Sequence, residues 1–234
     1  MKKTSITYLF FYFSFLLIIG VSIFFERTLL LVVKPIIPLS LIVIYLQSVR
    51  ERNILFLICM LLILVVDIFI YTDFVRYYDI IAVLITLFYA LGSFLIKDYI
   101  LKEDLQIKKL ISISVAIGTL FIVYLIYSIT ELAMPKINDS LFSVASITIS
   151  LLLFSACSFI VYKADRYEKG IYLFIATCCT LFTDALLAIN ELYYYTREFT
   201  VLANISEIIG LYFFTSFFVQ TSLKDKTLDE SDFF

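Results

Sequence analysis

Apolar residues fall in eight long runs, at 7–25, 28–47, 53–71, 79–96, 110–130, 140–162, 170–190 and 199–222, and the short stretches between them hold most of the charge. Each run is close to the roughly 20 residues an α-helix needs to cross a hydrocarbon core. Lipid offers backbone N–H and C=O groups no partner outside their own segment, so each run is expected to be a helix. The pattern predicts an all-α fold, a polytopic integral membrane protein with eight transmembrane helices in one bundle. The first run follows Lys2 and Lys3 and resembles a signal peptide. It is long, however, and ends at Phe24-Phe25-Glu26-Arg27 without a small-residue cleavage site, so it reads as a retained membrane helix.

Composition sharpens the picture by what it removes. The 234 residues are 62% hydrophobic and 16% charged, and the mean hydropathy is +1.03; soluble domains average about 45–50% apolar and ~25% charged residues. Eight spans leave no room for a soluble domain, and no Pro/Gly/Ser-rich linker or low-complexity block divides the chain, so residues 1–234 are expected to form a single membrane domain. The absence of histidine excludes a Ser-His-Asp triad, an imidazole metal site and a histidine proton shuttle. Acid–base work is left to carboxylates, lysine, tyrosine or cysteine. Cys59, Cys157, Cys178 and Cys179 all lie inside apolar runs, where they read as small buried hydrophobes rather than a disulfide framework or a metal site.

With a net charge of only −2, placement says more than the sum. Lys and Arg in alternate loops divide unevenly. One set holds 13: Lys2, Lys3, Arg50, Arg52, Lys97, Lys102, Lys108, Lys109, Lys163, Arg166, Lys169, Lys224 and Lys226. The other holds 4: Arg27, Arg76, Lys136 and Arg197. The excess of positive charge on one side predicts cytoplasmic N- and C-termini. Tyr77-Tyr78 and Tyr193-Tyr194-Tyr195 then mark the outer ends, at headgroup level.

An ionisable side chain inside a bilayer costs at least about 2.5–3.5 kcal/mol on insertion scales, so each one needs a reason. Four stand in the interior of the predicted spans, away from their first and last residues: Lys34, Asp67, Asp184 and Glu207. Counting ~1.5 Å of rise per residue from the outer end of each span, they lie roughly 6 to 13 Å deep, all in the outer half of the membrane. One polar pocket opening toward the extracytoplasmic side accounts for the shared level. The alternatives are a structural ion pair for Lys34, an Asp67 that reaches the interface, and a Glu207 bonded to Asn204, Ser206 or a neighbouring helix. One lysine cannot neutralise three carboxylates, so at least one acid is expected to hold its proton near neutral pH. A protonated carboxyl beside an ionised one supplies a general acid and a general base in one pocket, and it also serves a proton-coupled transporter. Pro35 and Pro38 loosen the second span, as a kink or as a break that lines the site. An Asp near the outer end of both the third and the seventh span makes a duplicated four-helix unit conceivable.

Three of these segments together resemble the YhhN-like lysoplasmalogenase family of eight-span membrane proteins. Lys34-Pro35 is similar to the family's Lys-Pro motif, and Asp67 with its following apolar pair to its Gly-Asp motif. The stretch Leu181-Phe182-Thr183-Asp184-Ala185-Leu186-Leu187-Ala188-Ile189-Asn190 is similar to the family's Phe-x-Ser-Asp-x-Leu-Leu-Ala-x-Asn pattern, with Thr183 keeping the hydroxyl. The resemblance runs from about residue 28 to 222, with the motifs in order. Val66 stands at a usual glycine, Thr86 at a common histidine and Ser216 at a common glutamine, while Tyr212 fits the family's tyrosine, so the chain looks like a divergent member.

The resemblance implies hydrolysis of the vinyl ether bond of lysoplasmalogens, or of a related ether lysolipid, to a fatty aldehyde and a glycerophospho-base. It implies Asp67 and Asp184 as the acid and base, in either order. Lys34 would tune their protonation or meet the substrate phosphate, and Glu207, Tyr212, Asn190 and Thr183 would serve as substrate-binding or tuning residues. The chemistry suits carboxylates on its own terms. Protonation at the vinyl carbon gives an oxocarbenium ion, water captures it, and the hemiacetal collapses, with the division of labour of a glycosidase. No cofactor or metal is required, the partners are the membrane and a lipid drawn from it rather than nucleic acid, and the expected location is the inner (cytoplasmic) membrane of a bacterium. The other readings are a small proton-coupled transporter using the same carboxylates and a non-catalytic membrane assembly subunit.

Overall fold

The structure, a computed structural model, describes residues 2–100 and 141–231, together with positions 120, 124, 127, 128 and 131. The span expected at 110–130 lies outside the described residues except for those isolated positions, as do Lys102, Lys108, Lys109 and Lys136 of the charge pattern. The described elements are α1 (Lys2–Phe24), α2 (Arg27–Val33), α3 (Ile36–Ser48), α4 (Ile54–Asp73), α5 (Tyr78–Lys97), α6 (Leu141–Ala164), α7 (Gly170–Leu192) and α8 (Arg197–Ser231). Taking α2 and α3 as one interrupted span, seven of them are long and apolar enough to cross a membrane, and no strand occurs among the described residues. This is the make-up of a helical membrane protein. The seven spans fall where the apolar runs predict them, and α8 runs on past its apolar stretch, which ends at Thr221.

The two prolines explain the interruption. Pro35 and Pro38 lack the N–H groups that would bond to the carbonyls four residues before them. The ladder tightens instead: the Ile37 N–H donates to the Lys34 carbonyl at 3.1 Å, where an unbroken helix would use residue 38. Lys34 and Pro35 both keep right-handed helical angles, so the span is kinked rather than unwound, and Lys34 stands at the bend.

Helix α8 packs against α7, α1 and α3, while α5 lies between α4 and α6. Lipid removes most of the hydrophobic driving force between helices, so close packing of small residues matters more than in water. Gly210 marks the closest approach of α8 to α7: a Cβ there would stand 3.1 Å from Cys179 Cβ and 3.4 Å from the Ala176 carbonyl oxygen. Replacing Gly210 by Val is therefore expected to cost about 1–3 kcal/mol through overpacking, read as a lower Tm in detergent, with Gly210→Ser costing less. Toward the middle of the bundle an aromatic layer joins α5, α6 and α8. The Phe154 ring lies 5.7 Å from Tyr89, 6.3 Å from Phe88 and 6.0 Å from Phe214. The four cysteines are unpaired thiols, with Cys59 buried and Cys178 exposed.

Candidate active site

Helix spacing sets the site. Asp67 and Tyr71 stand one turn apart on α4, and Asn204 and Glu207 one turn apart on α8, so each helix offers two polar groups on one face. Between them comes Lys34 from the α2–α3 bend. Its Nζ donates to Asp67 Oδ1 at 2.7 Å and to Glu207 Oε2 at 2.5 Å, and it lies 4.9 Å from the centre of the Tyr71 ring. Lys34 and Asp67 are only 2% and 3% exposed. An ammonium this deep needs charged partners, and breaking a buried pair of this kind typically costs about 3–5 kcal/mol. The second Asp67 oxygen, Oδ2, is buried without a hydrogen-bond partner among the described residues.

A second chain of bonds fixes the helices around this cluster. The Tyr71 hydroxyl donates to Asn204 Oδ1 at 2.7 Å, and Asn204 Nδ2 donates to Ser22 Oγ at 2.9 Å. Ser22 in turn donates to the Ile18 carbonyl of its own helix at 2.8 Å, so α1, α4 and α8 are tied at one level. On the other side Asp184, on α7, accepts from the buried Tyr89 hydroxyl at 2.5 Å. Asp67, Asp184 and Glu207 line one small cavity, whose other walls include Val66, Tyr89 and Thr183. Near the end of α7, Arg27 closes the bundle. Its guanidinium pairs with Glu191 at 2.8 Å and donates to the Ile70 carbonyl at 2.7 Å.

The four intramembrane ionisable residues therefore meet: Lys34, Asp67 and Glu207 by contact, and Asp184 across the shared cavity. Glu207 bonds to Lys34, whereas Asn204 serves Tyr71 and Ser206 donates to the Cys179 carbonyl. Lys34 is turned to its two carboxylates, and its buried ammonium is not presented to a phosphate. Thr183 reaches the cavity wall, but its hydroxyl donates to the Cys179 carbonyl at 2.9 Å. Asn190 stands apart from the cavity and fastens the α7–α8 loop: it accepts from the Thr196 N–H at 2.8 Å and donates to Thr200 at 3.1 Å. Tyr212 stands apart as well, with its ring stacked on Phe11 at 5.3 Å. The Thr86 hydroxyl, at the histidine-like position, is buried without a partner among the described residues.

Tyr89, Tyr71 and Ser22 were not singled out by sequence reasoning. Tyr71 carried a signal in its four-residue spacing from Asp67, whereas Tyr89 and Ser22 come from other helices, and nothing local points to them. Among the described residues no group of three or more His, Cys, Asp or Glu side chains is placed to hold a metal ion. Comparison with protein-family models, with curated proteins and with solved structures returned no match.

Proposed function

We propose that the chain is a membrane-embedded hydrolase of the lysoplasmalogenase type, cleaving the vinyl ether bond of a single-chain ether lipid to a fatty aldehyde and a glycerophospho-base. The observation that carries this reading is the cavity itself: three carboxyl groups on three helices face one otherwise largely apolar space. Lys34 balances one of its two partner carboxylates, so the Asp67–Glu207 pair is neutral with Lys34 when it holds one proton. Asp67 Oδ2, which has no donor among the described residues, would carry that proton. Asp184, which accepts from Tyr89, is the carboxylate that faces the oxocarbenium ion and activates water. Proton transfer to the vinyl carbon, water addition at the carbon bearing oxygen, and collapse of the hemiacetal return the proton and leave aldehyde and alcohol. Tyr89 is a positioning residue.

The reading also takes the termini as cytoplasmic, which puts the Arg27 end of the bundle and the cavity toward the extracytoplasmic side, in a bacterial inner membrane. A reporter fused after Phe234 is expected to give a cytoplasmic signal; an extracytoplasmic one would reverse the side. For the chemistry, the test is incubation of the purified protein with 1-alkenyl lysophospholipids and measurement of aldehyde. Release is expected. Its absence, with pH-dependent solute uptake into vesicles, would replace the hydrolase by a proton-coupled transporter; absence of both would leave an assembly subunit.

A further inference from the structure

We propose that Asp184 is the recognition group for a lipophilic monocation, an ammonium ion on an apolar body, held in a second cavity beside the acid cavity. The binding is argued from the walls of that cavity and the charges around Asp184, and it does not depend on hydrolysis.

The second cavity lies between α4, α5, α6 and α7. Its polar wall residues are Tyr78, Thr148 and Asp184; apart from Phe74 the others are aliphatic, and Asp184 is the one that carries a charge. At the outer end the Phe74 and Tyr78 rings meet edge to face, with centres 5.7 Å apart. Asp184 lines this cavity as well as the acid cavity.

Asp184 differs from the other buried acids in having no cation. Asp67 and Glu207 share Lys34 at 2.7 and 2.5 Å, and Glu191 has Arg27 at 2.8 Å. Asp184 accepts from the Tyr89 hydroxyl, and no Lys or Arg among the described residues comes within ion-pair range of it. A carboxylate inside a membrane bundle calls for a positive partner. A bound ligand would bring to Asp184 the charge that Lys34 brings to its neighbours.

The walls decide which cation fits. A hard metal ion such as Mg²⁺ or Ca²⁺ needs about six or more oxygens, whereas this cavity offers one carboxylate and two hydroxyls among apolar side chains. An organic ammonium needs only one carboxylate, with apolar and aromatic contact for the rest of the molecule. A second positive charge would find no match, so the ligand is a monocation. Along α5 the wall runs from Tyr78 to Ile85, about 10 Å of helix, and Ile85 lines the acid cavity together with Asp184. With nitrogen at Asp184, an aryl ring reaches Phe74 and Tyr78 when about six methylene groups separate the two, at roughly 1.2 Å per bond plus the radius of the ring. The hydrolase reading sets the same carboxylate against a transient cation; a stable cation answers the same charge.

The test is calorimetric titration of the full chain in dodecyl maltoside with two probes of equal length, phenylhexyl-trimethylammonium and the neutral phenylhexanol. The cation is expected to bind about tenfold more tightly. Asp184→Asn is expected to abolish that difference while phenylhexanol still binds, which also shows that the variant is folded. Ala188→Phe, which fills the second cavity, should weaken both probes at least about tenfold, whereas Thr180→Leu, in the wall of the acid cavity alone, should leave both unchanged. Detergent size-exclusion checks the fold of each. Equal binding of the two probes to the unmodified protein, a preference that survives Asp184→Asn, or binding that is lost with Thr180→Leu and kept with Ala188→Phe would overturn the site. Aldehyde release from alkenyl lipids without a cation preference removes this site and leaves the hydrolase. A preference that depends on Asp184, without aldehyde release, does the reverse.

Discussion

Replacing Asp184 by Asn is expected to lower kcat for aldehyde release by about 10²–10⁴, the range of a lost acid–base group, with KM little changed. The amide keeps the size of the side chain and can still accept from Tyr89, so the bundle should hold; what is lost is the negative charge that the proposed mechanism sets against the oxocarbenium ion. Tyr89→Phe should fall between the variant and the unmodified protein, because it leaves the carboxylate but removes the 2.5 Å bond that aims it. Asp67→Asn should match Asp184→Asn in kcat, since the proton placed on Oδ2 would be gone. Rates would be followed by aldehyde capture, with circular dichroism and detergent size-exclusion confirming that each variant is folded. Aldehyde release that survives both Asn substitutions would remove the two-carboxylate mechanism.

The largest effect on stability is expected from Lys34→Met. The two carboxyl groups now held at 2.7 and 2.5 Å from Nζ would be left with one negative charge in the bundle and no cation beside it. Breaking a buried charge pair costs about 3–5 kcal/mol, a large share of the 5–15 kcal/mol that holds a typical protein together. The variant should lose most of its monodisperse fraction in detergent size-exclusion, with a fluorescent fusion as readout. Adding Glu207→Gln should restore much of it, because the carboxylate that Lys34 balanced is then a neutral amide. An unchanged elution profile for Lys34→Met alone would show that the cluster contributes little to the fold.

The spans were legible in the sequence because bilayer thickness imposes a length, and seven of the eight expected runs reappear as helices among the described residues. The level of the four ionisable residues was legible for the same reason: depth follows from counting residues along a helix. What counting cannot give is rotation. Which face of α8 meets α4 depends on side chains from both, so Glu207 could equally have turned to Ser206, and its bond to Lys34 had to be seen. Asn190 is the reverse case. Its place at the end of a motif-like stretch pointed to substrate, but at a helix terminus the unsatisfied backbone groups set the demand, and Asn190 meets the Thr196 N–H instead. The Tyr89–Asp184 bond joins residues 95 positions apart, beyond any local pattern.

The kinked second span also constrains how the protein is made. Lys34 and Asp67 are synthesised within the first four helices and form a pair of opposite charges, whereas Glu207 arrives on the last described helix, long after both have met lipid. The early helices can thus wait in the bilayer with their charges matched, and the third ionisable group, like the Asn204 bridge to Tyr71 and Ser22, is added only when α8 inserts. Completion of the lysine cluster is in this sense a late event of biogenesis, so a chain arrested before α8 would hold the Lys34–Asp67 pair yet have no Glu207 beside its lysine.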